Sequence, residues 1–116
     1  QHFVVVFATV EASEIDAETV FSAVEDLARQ SRLEVGCMRY DVYRSSKAPV
    51  LLIMHEEWES SEALQAHRRS LHVERFKASI NNTSAKFGQV NVSWLTKVWG
   101  ACRLECWGGV FALVSK

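Results

Sequence analysis

The side chains best suited to chemistry in this sequence are a histidine on a predicted helix and two residues on the strand before it. His67 falls on the same helical face as Leu64 and Leu71, because residues three or four positions apart lie on one side of a helix. Glu56 and Trp58 are two positions apart in an alternating segment, so they project from one face of a strand. Histidine is the natural base near neutral pH, since its ordinary pKa is about 6.5. His67 is therefore a candidate general base, and Trp58 is a candidate pocket wall.

Each of these three residues also has a purely structural interpretation. His67 could be a core histidine that one carboxylate or carbonyl group satisfies. Trp58 could pack in the core, or it could wall a pocket while its indole N–H donates to a substrate oxygen. Glu56 could orient a histidine or form a salt bridge at the rim of the site. The residues alone leave these alternatives open.

Three further side chains are predicted to border or orient the same pocket. Tyr40 lies on the buried face of the neighbouring strand, and Met54 precedes Glu56 on one face of its own strand. His72 lies one turn beyond His67 and is rotated away from its face. We interpret His72 as a helix-break or interface residue rather than as the base.

Hydrophobic periodicity predicts the elements that position these residues in the first half of the chain. Residues 2–10 are nearly all β-branched or aromatic, which is typical of a strand buried on both faces. Ser13 and Asp16 form a short capping-box variant before an amphipathic helix that ends at Arg29. Residues 38–43 and 50–58 alternate with period two and flank a turn, which predicts a hairpin. Within the first of these strands, the side chains expected on the buried face are Met38, Tyr40 and Val42.

The second half of the chain predicts another helical region and a last strand. Ser60 is a suitable N-cap, and the apolar face shifts near Ser70, so we expect a break or two short helices. Residues 90–98 alternate as a strand. The order β-α-β-β-α-β predicts an α+β, ferredoxin-like fold with one antiparallel sheet and helices on one face. Apolar residues on the uncovered face of the sheet predict a homodimer.

Composition limits the classes of function. The 116 residues suit a single domain with one core, and 48% of them are hydrophobic. A formal net charge of -1 argues against nucleic acid as a partner. The apolar run at residues 3–8 is too short to cross a membrane and has no signal-peptide flanks. These features predict a cytoplasmic protein.

The cysteines and glycines give no sign of a metal or cofactor. The three cysteines, which are Cys37, Cys102 and Cys106, contain no CxxC pair, so neither a disulfide framework nor a four-thiolate zinc site is indicated. Cys102 and Cys106 could share a helix face, but the strand-like residues around them favour partly buried thiols over a metal pair. A glycine-rich phosphate loop and a plausible set of haem ligands are also missing from the sequence. The sequence therefore predicts no flavin, no haem and no metal.

Two segments carry a resemblance to a known family. Residues 34–43 are similar to a block of the form E-x-G-C-x-x-Y, and residues 56–72 are similar to E-x-W followed by E-A-L-x-x-H-x-x-S-x-H. With the first strand and helix, the match covers about residues 3–80 and resembles the antibiotic biosynthesis monooxygenase family. Leu71 stands where many members have proline. Residues 81–116 are expected to hold the last strand and a C-terminal extension that resembles nothing identifiable.

The resemblance implies a dimer of ferredoxin-like subunits whose sheets pack into a barrel, with a small pocket between sheet and helices. Family members include oxygenases that act on phenols, quinols and anthrones with molecular oxygen and no cofactor, while others process signal molecules. The implied function is a cofactor-independent monooxygenase of a quinol-like or polyphenolic molecule, with an isomerase as a variant. The alternative is a non-catalytic, dimeric small-molecule-binding or stress-related protein.

A haem-degrading branch of the same fold is not indicated. At the positions where that branch has its asparagine, tryptophan and haem-ligating histidine, this sequence has Ala8, His67 and Lys77. None of the three functional residues of the branch is therefore present.

Overall fold

The computed structural model describes residues 3–45, 50–96 and 98–99. Its elements, in chain order, are β1 (Phe3–Ala12), α1 (Ala17–Ser31), β2 (Cys37–Arg44), β3 (Val50–Trp58), α2 (Ser61–Arg68), α3 (Leu71–Ile80) and β4 (Lys86–Leu95). A 3-10 turn over Glu14–Asp16 leads into α1. Within this described part, every helix is too short or too polar to cross a membrane.

The four strands form one antiparallel sheet in the order β2-β3-β1-β4. This order is that of the ferredoxin-like split βαβ plan, so the predicted fold is confirmed. The helices lie on one face of the sheet, where α1 packs against α3. The core fills the space between sheet and helices.

Strand β1 is buried on one face within the chain, whereas the sequence predicted burial on both. The side chains of β1 that face the helices are 4% exposed or less, and they are Val4, Val6, Ala8, Val10 and Ala12. The alternate residues point to the other face of the sheet, where Phe7 is 45% exposed. Cover of this second face was expected from a partner subunit, so that part of the expectation stays a prediction.

Strands β2 and β3 differ in how well the period-two rule holds. In β3, the side chains of Leu52, Met54 and Trp58 are fully buried, as the alternation predicted. In β2, the pairing with β3 shifts register between Cys37 and Arg39. The shift places Met38 at a β-bulge with 53% of its surface exposed, so the prediction that Met38 is buried was wrong.

Serine caps define the helical region that follows β3. The Ser60 hydroxyl accepts a hydrogen bond from the Ala63 backbone N–H at 3.1 Å, and the Ser70 hydroxyl accepts from Val73 at 3.3 Å. The predicted cap and the predicted break near Ser70 are both confirmed.

The ends of two other elements differ from the prediction. Ser13 makes no side-chain cap to α1; instead its backbone N–H donates to the hydroxyl of Ser84 at 2.9 Å. Strand β4 begins at Lys86 rather than at residue 90 and ends at Leu95. Its first residues are Lys86, Phe87, Gly88 and Gln89, in which apolar and polar side chains do not alternate, so the period-two signal was weak there. In the described sheet this segment pairs with β1.

Several predictions fall outside the described residues. These are the start of β1 at residue 2, the turn at 46–49, the two cysteines Cys102 and Cys106, and the segment 101–116. Cys37 is described, and it is a partly buried free thiol.

Candidate active site

Strand β3 presents a row of side chains toward the helices at the centre of the sheet. Met54 and Trp58 are fully buried there, and Glu56 between them is 4% exposed. Tyr40 enters the same layer from β2 and is 2% exposed. The row places one carboxyl group in an otherwise apolar and aromatic surface.

His67 lies at the end of α2 and is held by a carboxylate from the loop between α1 and β2. Its Nδ1 is 2.7 Å from Glu34 Oε2. The Nε2 of His72, at the start of α3, is 2.6 Å from the same oxygen. Because a carboxylate oxygen only accepts hydrogen bonds, both imidazole nitrogens that contact it carry protons. In neutral His67 the unprotonated nitrogen is therefore Nε2.

The environment of His67 favours its neutral form. Its ring centroid lies 4.4 Å from that of Trp58, and only 6% of the residue is exposed. Burial lowers the pKa of His67, and the hydrogen bond and charge of Glu34 oppose that shift. His67 Nε2 lies 4.0 Å from Glu56 Oε1. This nitrogen can accept a proton at neutral pH.

Glu56 is the buried carboxyl group that faces His67. The indole N–H of Trp58 donates to Glu56 Oε1 at 2.9 Å. Burial raises the pKa of Glu56 to about 7, because removal from water penalises the charged form, although the hydrogen bond from Trp58 opposes the shift. Glu56 therefore exchanges its proton close to neutral pH.

The placement of Trp58 differs from the expected pocket wall. Trp58 is fully buried behind Glu56, and its indole N–H is used by that carboxyl group rather than being open to a substrate oxygen. Trp58 thus supports Glu56 and packs against the ring of His67 at an interplanar angle of 33°.

Tyr40 and Met54 occupy positions at the floor of the site. The Tyr40 hydroxyl lies 3.5 Å from Met54 Sδ, and the Tyr40 ring centroid is 5.9 Å from that of His67. Burial raises the pKa of Tyr40 above its ordinary range, so the phenol stays protonated.

A cavity of about 530 Å³ lies between the sheet and the helices and is bordered by these residues. Its volume is within the range of about 300–1,000 Å³ that is usual for small-molecule sites. Polar groups meet it at Tyr40, Glu56 and His67, while Phe76 and Phe87 form part of its apolar wall. The cavity can hold an aromatic ring next to His67.

Sequence reasoning placed His67, Glu56, Tyr40 and Met54 near one another but did not single out Glu34. Glu34 is separated from His67 by 33 positions, and it lies in a loop where periodicity gives no direction. The available signal was its place at the head of the E-x-G-C block. His72 contacts Glu34 rather than the cavity.

Among the described residues, Glu34, His67 and His72 form a group that could offer three ligands to a metal ion, with all ligand atoms within 4.8 Å of one another. Two ligands of a tetrahedral zinc ion are about 3.3 Å apart, given bonds of about 2.0 Å. The two contacts to Glu34, at 2.6 and 2.7 Å, are shorter than that. These three side chains are arranged to hydrogen-bond with one another, and a metal would require them to move.

The fold is shared with several solved structures. A protein from Mycobacterium tuberculosis is 22% identical, with a TM-score of 0.74 over 84% of this chain and 99% of that one. A protein from Pseudomonas aeruginosa is 27% identical, with a TM-score of 0.69 over 78% of this chain and 93% of that one. A solved antibiotic biosynthesis monooxygenase is 23% identical, with a TM-score of 0.69 over 81% and 98% of the two chains. A comparison with curated protein sequences found no match.

The family itself is identified by sequence. The model of the antibiotic biosynthesis monooxygenase family matches residues 3–79, which include β1, α1, β2, β3, α2 and nearly all of α3, and with them Glu34, Tyr40, Glu56, His67 and His72 of the site described above. Since this match covers more than half of the residues, the chain belongs to the antibiotic biosynthesis monooxygenase family.

Proposed function

We propose that the protein is a cofactor-independent monooxygenase of a quinol-like or polyphenolic small molecule. The observation that carries the proposal is the orientation of His67, whose Nδ1 is held by Glu34 at 2.7 Å while its ring borders an aromatic-lined cavity. This arrangement leaves Nε2 to accept a proton from a bound ring. The family to which the chain belongs supports the same class of reaction.

The proposed reaction requires a general base and a pocket that excludes water. Molecular oxygen reacts slowly with closed-shell organic molecules, so the substrate must first become electron-rich by losing a phenolic proton. His67 Nε2 would take this proton, and the quinolate would then supply all the electrons. A quinol and one O₂ give a hydroxyquinone and one water, and each of these two products receives one of the two atoms of O₂. The reaction balances without an external reductant.

The other residues of the site have supporting roles in this proposal. Tyr40 and Met54 would form the floor beneath the ring, and Glu56 could donate a hydrogen bond to a substrate oxygen when it is protonated. Trp58 would hold Glu56 in place through its indole N–H. His72 would fix Glu34, and so indirectly the ring of His67.

We further propose that the protein acts as a homodimer through the uncovered face of its sheet. Large apolar side chains are exposed within the chain at Phe7 (45%) and Tyr43 (54%), and at Val90 of β4 (63%). Patches of this kind usually mark interaction surfaces. Sedimentation at micromolar concentration should give a dimer, and a stable monomer would contradict this part of the proposal.

One observation favours the alternative, a binding protein without catalysis. Glu34 satisfies both His67 and His72, which is also how a structural core histidine is accommodated. The two functions differ in what the loss of the His67 imidazole does to turnover when the protein remains folded.

The test is oxygen uptake by the purified protein with a panel of quinols and polyphenols. We expect uptake by the parent protein, unchanged after treatment with a chelator, and a decrease in kcat of about a hundredfold or more in His67→Ala. The control Gln65→Ala changes an exposed residue of the same helix and should retain turnover. Thermal melting of each sample separates loss of chemistry from loss of fold. No uptake by the parent across the panel would favour the binding protein.

A further inference from the structure

Two cationic side chains border the cavity on the helical side. Arg68 is the last residue of α2 and is partly buried, and Lys77 lies in α3 and is exposed. Within the described ranges, neither residue lies within 4.0 Å of a carboxylate oxygen. The charge of Arg68 acts on Glu56 at longer range and lowers the pKa of that carboxyl group, but among these residues neither cation is held in a short ion pair that a bound carboxylate would have to displace.

The charge of the cavity wall is positive at neutral pH. Glu56 is the acidic residue among the described ones that border the cavity, and burial raises its pKa to about 7. Two cations therefore face at most one partly ionised carboxyl group. The remaining polar groups of the wall are neutral amides and hydroxyls, which include Asn81 and Gln89. A ligand that fits this wall combines an apolar body with a negative charge.

We propose that the substrate is an aromatic quinol that carries a carboxylate, and that Arg68 and Lys77 bind the carboxylate at the mouth of the cavity. The inference rests on the proposed function, since it names the class of substrate for the same cavity. The planar guanidinium of arginine matches a carboxylate with two parallel hydrogen bonds. Lys77 adds a second, more mobile charge at the solvent side.

Anchoring of this kind would also orient the ring. Arg68 and His67 both border the cavity, so a carboxylate held by the guanidinium would lie in the same cavity as the proposed base. The aromatic body would then lie against the apolar wall that includes Phe76 and Phe87. Fixing one end of the ring restricts which hydroxyl group reaches His67 Nε2, and such positioning is a large part of enzymatic rate enhancement. Arg68 and Lys77 are thus specificity-determining residues in this proposal.

The test is a binding experiment without oxygen, so that no turnover occurs. Calorimetry at about pH 7.5 compares 1,4-dihydroxy-2-naphthoate with its methyl ester, which has the same rings but no charge. We expect the acid to bind about tenfold more tightly than the ester at low salt, and the preference to decrease as salt is added. Arg68→Gln and Lys77→Gln should each weaken binding of the acid by about three- to tenfold and leave the ester unchanged.

Matched controls come from Arg69, which directly follows α2, and from Arg75, which lies in α3. Arg69→Gln and Arg75→Gln make the same kind of charge change at exposed positions that do not border this cavity, and they should leave both affinities unchanged. Equal affinities of acid and ester, no binding of either compound, or equal effects of all four substitutions would overturn the inference.

Oxygen uptake is measured separately. A charge preference without uptake would refute the proposed monooxygenase and keep the carboxylate site, whereas uptake with neutral quinols alone would do the reverse.

Discussion

Glu56 and Glu57 are neighbours in β3, and they show how the two faces of one sheet give the same carboxyl group different surroundings. Glu56 points toward the helices, where the indole N–H of Trp58 is its short contact at 2.9 Å. Glu57 points to the opposite face, where Arg39 Nε lies 3.5 Å away and His55 Nε2 lies 3.2 Å away. The inner carboxyl group is buried with a neutral indole as its hydrogen-bond partner, and the outer one takes part in an ion-pair network.

The two histidines that lie on opposite sides of the sheet show the same contrast. His55 stacks on Phe7, with ring centroids 4.8 Å apart, on the outer face. His67 is held over the inner face by Glu34 and borders the cavity. Alternation along a strand and the position of a helix decide which group is available for proton transfer and which one contributes to a surface network.

The two faces can be compared by substitution, and the largest expected effect on kcat comes from Glu34, the carboxylate that is hydrogen-bonded to His67. Glu34→Gln should lower kcat by about a hundredfold, because an amide has no charge to make His67 basic and orients it less firmly. The hydrogen bond and charge of Glu34 raise the pKa of His67, so the acid limb of the kcat–pH profile should move to lower pH in the variant. The pH profile of oxygen uptake measures both effects.

The outer face provides the control. Glu57→Gln removes a charge from the network with Arg39 and His55, and we expect altered stability with little change in kcat. Equal losses of kcat in the two variants would mean that the faces are not functionally distinct.

The next effect concerns stability and pH. The pKa of Glu56 is raised from 4.5 to about 7 in the folded protein, so the native state binds this proton more tightly than the unfolded chain does. The stability that protonation contributes is fully present below about pH 4.5 and is lost as the pH rises through 7. Glu56→Gln cannot ionise. The free energy of unfolding of Glu56→Gln minus that of the parent should therefore increase by on the order of 2 kcal/mol as the pH is raised from about 5 to about 8.

Urea unfolding at the two pH values measures this gain. Glu25→Gln, which changes an exposed carboxylate of α1, serves as the reference substitution. A difference between Glu56→Gln and the parent that does not change with pH would contradict the proposed environment of Glu56.

A smaller effect is expected at the loop that carries Glu34. A Cβ atom at Gly36 would overlap Cβ of Ala63 in α2, and the Gly36 carbonyl accepts a hydrogen bond from Glu59 at 2.9 Å. Gly36→Ala should therefore cost about 1–3 kcal/mol in free energy of unfolding. Ala63→Gly in the same chain should recover part of that cost.

Gly88 is a matched position on β4. A Cβ there would lie 2.9 Å from the side-chain oxygen of Thr9, which is a less severe overlap than the one between Gly36 and Cβ of Ala63, so Gly88→Ala should cost less than Gly36→Ala. Denaturant unfolding of both variants measures the two losses in free energy of unfolding. Equal losses would show that the contact with Ala63 adds no cost of its own.

The sequence predicted those parts of the molecule in which a simple period applies. The strict alternation of β3 placed Met54, Glu56 and Trp58 on one face, and they are buried together. The same rule was wrong for Met38, because Met38 is the extra residue of a bulge between Cys37 and Arg39, whereas Tyr40 beyond the bulge is buried as predicted.

The candidate site was harder to predict than the fold. Its orienting carboxylate, Glu34, comes from a loop and meets His67 and His72 only through the packing of α2 and α3 against the sheet. Trp58 was correctly placed on the inner face, but alternation does not report whether its indole N–H meets a substrate or Glu56. Contacts between distant segments depend on tertiary structure, which spacing along the chain does not encode.

The central claim is that His67 Nε2 accepts a proton while Nδ1 remains bound to Glu34. The most direct measurement is the kcat of His67→Asn in oxygen uptake, with thermal melting on the same sample. The asparagine amide nitrogen can occupy the place of Nδ1 and donate to Glu34, but the variant has no atom at the position of Nε2. The account predicts a melting temperature near that of the parent and a kcat lower by about a hundredfold or more. Turnover at the parent rate in well-folded His67→Asn would contradict it.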